Sequence, residues 1–101
     1  LSEYKNKFDL IFFNPPYLIS DTIKYIDLDG LKKGRHWIDK FIEQFPKYLN
    51  KSGGVLLMHT DYNDIKETGK KLNKKEFSMN VMLEKHLFFE RLYILAIAKK
   101  K

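Results

Sequence analysis

The chain has 101 residues, with 19 Lys or Arg against 13 Asp or Glu and a formal net charge of +6. That length suits one small domain and is too short for two, while 44% hydrophobic and 15% aromatic residues supply a core and exclude a disordered chain. The absence of cysteine excludes a disulfide framework and a thiolate metal site. No signal-peptide pattern and no long uncharged apolar run is present, so no membrane association is expected and a soluble cytoplasmic protein fits. The basic balance suits acidic or nucleic-acid partners, although pairs such as Lys32-Lys33, Lys70-Lys71 and Lys74-Lys75 are more often solvated helix ends.

Phe8 to Phe13 reads FDLIFF, a short apolar run stopped by Asn14-Pro15-Pro16, which is the pattern of a strand buried on both faces. It begins almost at once after Leu1, so a preceding segment is expected. Leu18 to Lys33 holds no period and contains Asp21, Asp27, Asp29 and Gly30, which reads as a long loop. Trp37, Ile38, Phe41, Ile42, Phe45, Tyr48 and Leu49 then form an apolar stripe on a helix from about Arg35 to Leu49, with Pro46 expected to kink its last turn. Asn50 to Gly54 reads as a turn and Val55 to His59 as a second buried strand. Asp64 and Glu67 have capping-box spacing and open a helix running from about Asn63 to Lys74.

Phe77, Met79, Val81 and Leu83 alternate with more polar positions, predicting a strand with one dry side near a sheet edge. Leu92 to Ala98 shows no alternation and belongs in the middle of a sheet. The segment Lys85 to Arg91 is too short for a crossover helix, so these two strands form an antiparallel hairpin. The expected fold is α/β: parallel strands with helical crossovers, then an antiparallel terminal hairpin. This order leaves Phe8 to Phe13 on an open edge, a position that conflicts with its apolar composition and implies a further half-sheet beside it.

Chemistry is expected at Asn14-Pro15-Pro16-Tyr17, because ligands bind at the carboxyl ends of strands in open parallel sheets. The two proline rings fix φ near −65° and restrict the residue before each, so the backbone carbonyls are aimed in advance. Such a corner suits methyl transfer to a planar nitrogen whose lone pair is delocalised. The Asn14 side-chain oxygen and the Pro15 carbonyl can accept its two N–H groups, and Tyr17 can stack on the flat acceptor. The alternative is a stiff turn and nothing more.

FDLIFFNPPY resembles motif IV of the amino methyltransferases, which include DNA adenine methylases and HemK-like enzymes that methylate the glutamine of a release factor's Gly-Gly-Gln loop. Asp29-Gly30, Gly34-Arg35 with Ile38-Asp39 and Phe41, the Leu49 to Gly54 turn, and Glu84-Lys85 with Leu87 to Tyr93 are similar to the C-terminal half of the archaeal and eukaryotic HemK-like branch. The resemblance implies a Rossmann-like methyltransferase sheet of which residues 1–101 are a partial domain, from motif IV onward. It implies that Asn14, Pro15, Pro16 and Tyr17 hold the substrate glutamine, that Phe13 and Asn14 approach the methionine portion of S-adenosylmethionine, and that a peptide chain release factor is the substrate. A small zinc-binding activator subunit accompanies some members.

The chain departs from the family in lacking the glycine-rich cofactor loop and the acidic ribose-binding residue, so these residues alone are expected to be inactive. Gly53-Gly54 does not replace the loop, because it follows a helix and precedes a strand. Two rivals are an N6-adenine methylase of DNA or RNA using the same turn, and a degenerate basic half-domain that contacts RNA without catalysis.

His36, His59 and His86 lack a metal-ligand spacing, so no metal site is expected. His59-Thr60-Asp61 is read as an ordinary strand-to-helix cap, Asp9 as structural and Trp37 as a core residue. Arg35 and Asp39 are placed to order the loop from Leu18 to Lys33.

Overall fold

The computed structural model describes residues 5–15, 28–88 and 90–100. Its sheet has four strands, β1 (Phe8–Phe13), β2 (Leu49–Thr60), β3 (Phe77–His86) and β4 (Arg91–Lys99), in the order β1-β2-β4-β3. Helix α1 (Leu28–Tyr48) crosses from β1 to β2, and a 3-10 turn (Asp61–Asn63) with helix α2 (Ile65–Lys74) leads to β3. β1 and β2 are parallel, while β4 is antiparallel to both of its neighbours, β2 and β3. The unalternating strand is therefore central and the alternating one lies at the edge, as their patterns require. No helix among the described residues is long and apolar enough to cross a membrane.

Three local expectations need correction. Helix α1 begins at Leu28, so part of the stretch read as loop is helical despite Gly30 and Gly34. Each glycine costs about 1 kcal/mol in a helix interior, a local penalty that the long apolar stripe downstream outweighs. Pro46 does not restart the helix, which runs unbroken to Tyr48 because a proline so near the end removes little further bonding. Finally, residues 50–54 belong to β2 instead of forming a free turn. They are absorbed by a register shift in which Phe8 pairs Leu49 but Leu10 pairs Gly54. At this irregularity a Cβ on Gly53 would stand 2.7 Å from Leu49 Cδ1 and 3.0 Å from the carbonyl oxygens of Phe8 and Asp9. The glycine is needed for that close approach of two backbones.

Both helices pack on one face of the sheet. Ile38, Ile42 and Phe45 of α1 and Leu72 of α2 form a single cluster with Val55 and Leu57 of β2, Phe77 of β3, and Leu95 and Ile97 of β4, all nearly solvent-free. Trp37 is not in it. The ring is 43% exposed, lies edge-on to His36 and has the Lys40 ammonium 5.8 Å from its centre, because the buried line of the helix runs through the next position, Ile38. On β1, Ile11 and Phe13 reach the core while Phe8, Leu10 and Phe12 are exposed, so the strand is covered on one face only.

Candidate active site

The parallel pairing of β1 with β2, with Phe13 beside Leu57, brings the carboxyl ends of both strands to one rim of the sheet. Phe13 is fixed by an aromatic chain through the core. Its ring stacks on Phe41 at 4.4 Å, Phe41 stacks on Phe45 at 5.1 Å, and Phe45 meets Phe77 edge-on at 5.0 Å. Such pairs add about 0.5–1.5 kcal/mol each beyond their buried area, so the residue preceding the turn is anchored from α1 to β3. Asn14 follows and is exposed, and Pro15 is buried. The structure thus puts an amide side chain at the rim on a backbone held from behind. Pro16 and Tyr17, the rest of the predicted turn, lie outside the described residues, as does Leu18 to Asp27 of the expected loop.

β2 ends at the same rim in a polar network on the helix side. His59 is fully buried; its Nδ1 lies 2.7 Å from the Thr60 carbonyl and its Nε2 lies 2.7 Å from Thr68 Oγ1. A carbonyl can only accept, so Nδ1 carries the proton and Nε2 accepts from the Thr68 hydroxyl. That hydroxyl is in turn free to accept from Arg35 Nη1 at 2.6 Å. Burial, helped by the nearby Arg35 charge, holds the His59 imidazole below its ordinary pKa despite the Thr60 carbonyl, so the ring is neutral. Thr60 Oγ1 donates to Asn63 Oδ1 at 2.9 Å, and Asp64 caps α2 by accepting from the Glu67 N–H at 3.2 Å. His59-Thr60-Asp61, expected to act as a cap, do not supply one: Thr60 makes no side-chain cap hydrogen bond to the 3-10 turn, and the capping carboxylate is Asp64.

The loop residues that Arg35 and Asp39 were expected to order lie largely outside the described residues; among those described, Arg35 has other partners. Its Nη1 also donates to the carbonyls of Asn63 and Asp64, each at 2.9 Å, while Nε and Nη2 grip Asp39 Oδ1 at 2.9 and 2.6 Å. Lys71 of α2 meets the same carboxylate at 3.0 Å. Burial alone would raise the Asp39 carboxyl, but the hydrogen bonds and charges of Arg35 and Lys71 outweigh it and lower the pKa. Within the described residues Arg35 therefore staples α1 to the turn after β2 and to α2. The Arg35/Asp39 spacing hinted at the ion pair, but nothing local announced partners at positions 63, 64 and 68.

The hairpin loop 87–90 adds one residue that sequence reading passed over. Glu90 is only 8% exposed, and its carbonyl accepts from the Leu87 N–H at 2.8 Å. Asp61 accepts from the Arg91 N–H at 3.3 Å. Burial, with the Asp61 charge added, raises the Glu90 pKa. The rim thus carries a buried carboxyl just before β4, two strands along the sheet from β1.

No family model matches the chain. Over 95 residues it is 37% identical to a protein of Methanocaldococcus jannaschii provisionally named as a protein N5-glutamine methyltransferase, a match covering 88% of this chain and 48% of that protein. Among solved structures, its fold matches a chain of the E. cuniculi Mtq2-Trm112 complex with a TM-score of 0.65 and 28% identity, over 91% of this chain and 52% of that one. The complex is described as responsible for methylation of the eRF1 translation termination factor. This chain resembles the C-terminal half of the HemK-like methyltransferases. It spans about half the length of the relatives it matches. Like a HemK-like half-domain, it carries the Asn14-Pro15 corner on the carboxyl rim of a mixed sheet whose terminal strands form an antiparallel hairpin.

Proposed function

We propose that residues 1–101 form the substrate-side half of an enzyme that transfers the methyl group of S-adenosylmethionine to the side-chain amide nitrogen of a glutamine in a peptide chain release factor. The observation that carries this is Asn14, exposed directly after β1 while Phe13 is held in the aromatic chain behind it and Pro15 is buried beside it. An amide nitrogen is a weak nucleophile because its lone pair is shared with the carbonyl. The Asn14 oxygen and the Pro15 carbonyl accept its two N–H groups and turn the lone pair toward the methyl donor, an orientation effect rather than general-base catalysis. Pro16 completes the rigid corner, and Tyr17 stacks on the amide plane.

S-adenosylmethionine supplies a methyl group on a positively charged sulfur, and Phe13 and Asn14 line its methionine portion. Gly53 is committed to the close approach of β1 and β2, and Gly54 pairs within the sheet, so neither opens a nucleotide loop. The remaining cofactor contacts come from outside residues 1–101. A Trm112-like subunit accompanies the enzyme, by analogy with the E. cuniculi complex.

The test is to incubate the complete gene product, with and without a Trm112-like subunit, with release factor and isotopically labelled S-adenosylmethionine. One labelled methyl group should appear on a single glutamine, and Asn14→Ala should lower kcat about 100-fold, the scale of a misplaced reacting group. Label on adenine in DNA or RNA, with none on the release factor, would replace this reading by the nucleic-acid one.

A further inference from the structure

The end of the sheet opposite Asn14 has a character of its own. Four segments converge there: the last turn of α1, the first residues of β2, the end of α2 with its following turn, and the end of β4. The convergence is fixed by hydrogen bonds and register. The Lys100 N–H donates to the Glu76 carbonyl at 2.8 Å, Phe77 pairs with Lys99, and the Asn6 N–H donates to the Lys47 carbonyl at 3.0 Å. These segments bring Lys47, Lys51, Lys74, Lys75, Lys99 and Lys100 to one end, all exposed. A groove of about 200 Å³ lies among them, its floor Pro46, Leu49 and Phe77 and its polar lining Asn6, Asn50, Lys51 and Lys99.

None of these six ammonium groups has a carboxylate within ion-pair distance among the described residues, where Lys71 is the one lysine in such a pair. Among the described residues two acidic side chains share this end: Asp9, which already accepts from Asn50 at 2.8 Å, and Glu76. Like charges gathered without counter-charges repel one another and are relieved by a polyanion.

We propose that this basic end docks the phosphate backbone of single-stranded RNA. Three observations favour that occupant over an acidic protein or a DNA duplex. Protein interfaces rest on aromatic and aliphatic anchors, yet apart from Phe8 at the margin the exposed large apolar side chains lie elsewhere, on the outer part of β1, at Trp37, in the middle of β3 and at Phe88. The cations are lysines, point charges suited to phosphate contact without base reading. Among the described residues the surface is made of strand ends, turns and the last turns of α1 and α2, so neither helix offers more than its end to a major groove. The strands separate this end from the Asn14 rim, so RNA held here leaves the rim open. The proposal is independent of the methyl-transfer reading.

Fluorescence anisotropy of a labelled single-stranded RNA of mixed sequence, titrated with the chain at several salt concentrations, tests it. The logarithm of affinity should fall linearly with the logarithm of salt, by about 0.7 per phosphate contact. The triple variant K51E/K75E/K99E should bind tenfold or more weakly with a slope flatter by about 2. K40E/K66E/K85E, which changes net charge equally at exposed lysines elsewhere, should stay within threefold of the unaltered chain. On the unaltered chain, RNA should protect Lys51 and Lys99 from acetylation but not Lys40, a readout that does not depend on the variants folding. Equal weakening by both triple variants, protection of Lys40 as well as Lys51, tighter binding to duplex DNA of the same sequence, or no binding at low salt would each overturn the proposal.

Discussion

The two faces of the sheet are built from similar side chains and treated differently. On the helix face, Ile38, Ile42, Phe45, Val55, Leu57, Leu72 and Leu95 are at most 2% exposed. On the other face, Leu10 is 62%, Phe12 54% and Leu83 59% exposed, and Met58, Leu83, Leu92 and Ile94 line a shallow hollow. Removing apolar surface from water contributes roughly 25 cal/mol per Å², so in this chain one face supplies the stability and the other withholds it. Natural sheets rarely leave so much apolar surface open without a partner for it. The difference teaches that hydrophobic composition specifies what can be buried, while the elements on hand decide what is.

The sharpest way to break this comparison is to truncate one phenylalanine on each face. Phe45→Ala interrupts the aromatic chain behind Asn14 and empties a buried site, and should cost about 3–5 kcal/mol in urea unfolding. Phe12→Ala should cost under about 0.5 kcal/mol, the range of exposed substitutions. Equal costs would mean that the second face is covered in solution.

Next in size is the staple at the rim of the helix face. Arg35→Met keeps much of the stem but leaves the carbonyls of Asn63 and Asp64 and the Asp39 carboxylate short of a donor, and should lower stability by about 1.5–3 kcal/mol, the value of a charged hydrogen bond. Arg35→Lys should recover only part of this, since an ammonium cannot reproduce the fork. A full rescue by lysine would reduce the staple to simple charge.

His59 sharpens the contrast through pH. Its folded pKa lies below the ordinary value of 6.5, so at higher pH the ring is neutral in both folded and unfolded chains and contributes no pH dependence. As pH falls below that value the unfolded chain takes up the proton first, and stability is lost until the folded pKa is reached. The slope should approach about 1.4 kcal/mol per pH unit and should shrink in His59→Gln, measured by urea midpoints across mildly acidic pH. The smallest effect belongs to the open face: Phe12→Lys should change stability by under about 0.5 kcal/mol while raising the concentration at which the chain stays unaggregated by light scattering.

Much of the fold was legible because its signals are local. The unalternating run from Leu92 to Ala98 announced a central strand, the alternation from Phe77 to Leu83 an edge, and the short connection between them a hairpin. Asp64 and Glu67 announced the cap of α2. The place of Asn14 and Pro15 at the carboxyl end of β1 was legible, since a proline-locked corner after an apolar strand has a small set of places to be in an α/β sheet. The first turns of α1 were not, because Gly30 and Gly34 carry local penalties that a long apolar stripe overrides. Trp37 was misjudged because one helical position separates the buried line from its flank.

By itself the sequence determined the kinds of elements, their order and the position of the Asn14 corner at a strand end, all of which depend on neighbours a few residues apart. Only the tertiary structure decided that Arg35 bonds residues 28, 29 and 33 positions away, that Glu90 is buried near Asp61, that one sheet face is packed and the other open, and that lysines from four segments meet at one end. These pairings join groups that are remote along the chain, and no local periodicity encodes which distant partners packing will bring within a hydrogen bond's reach.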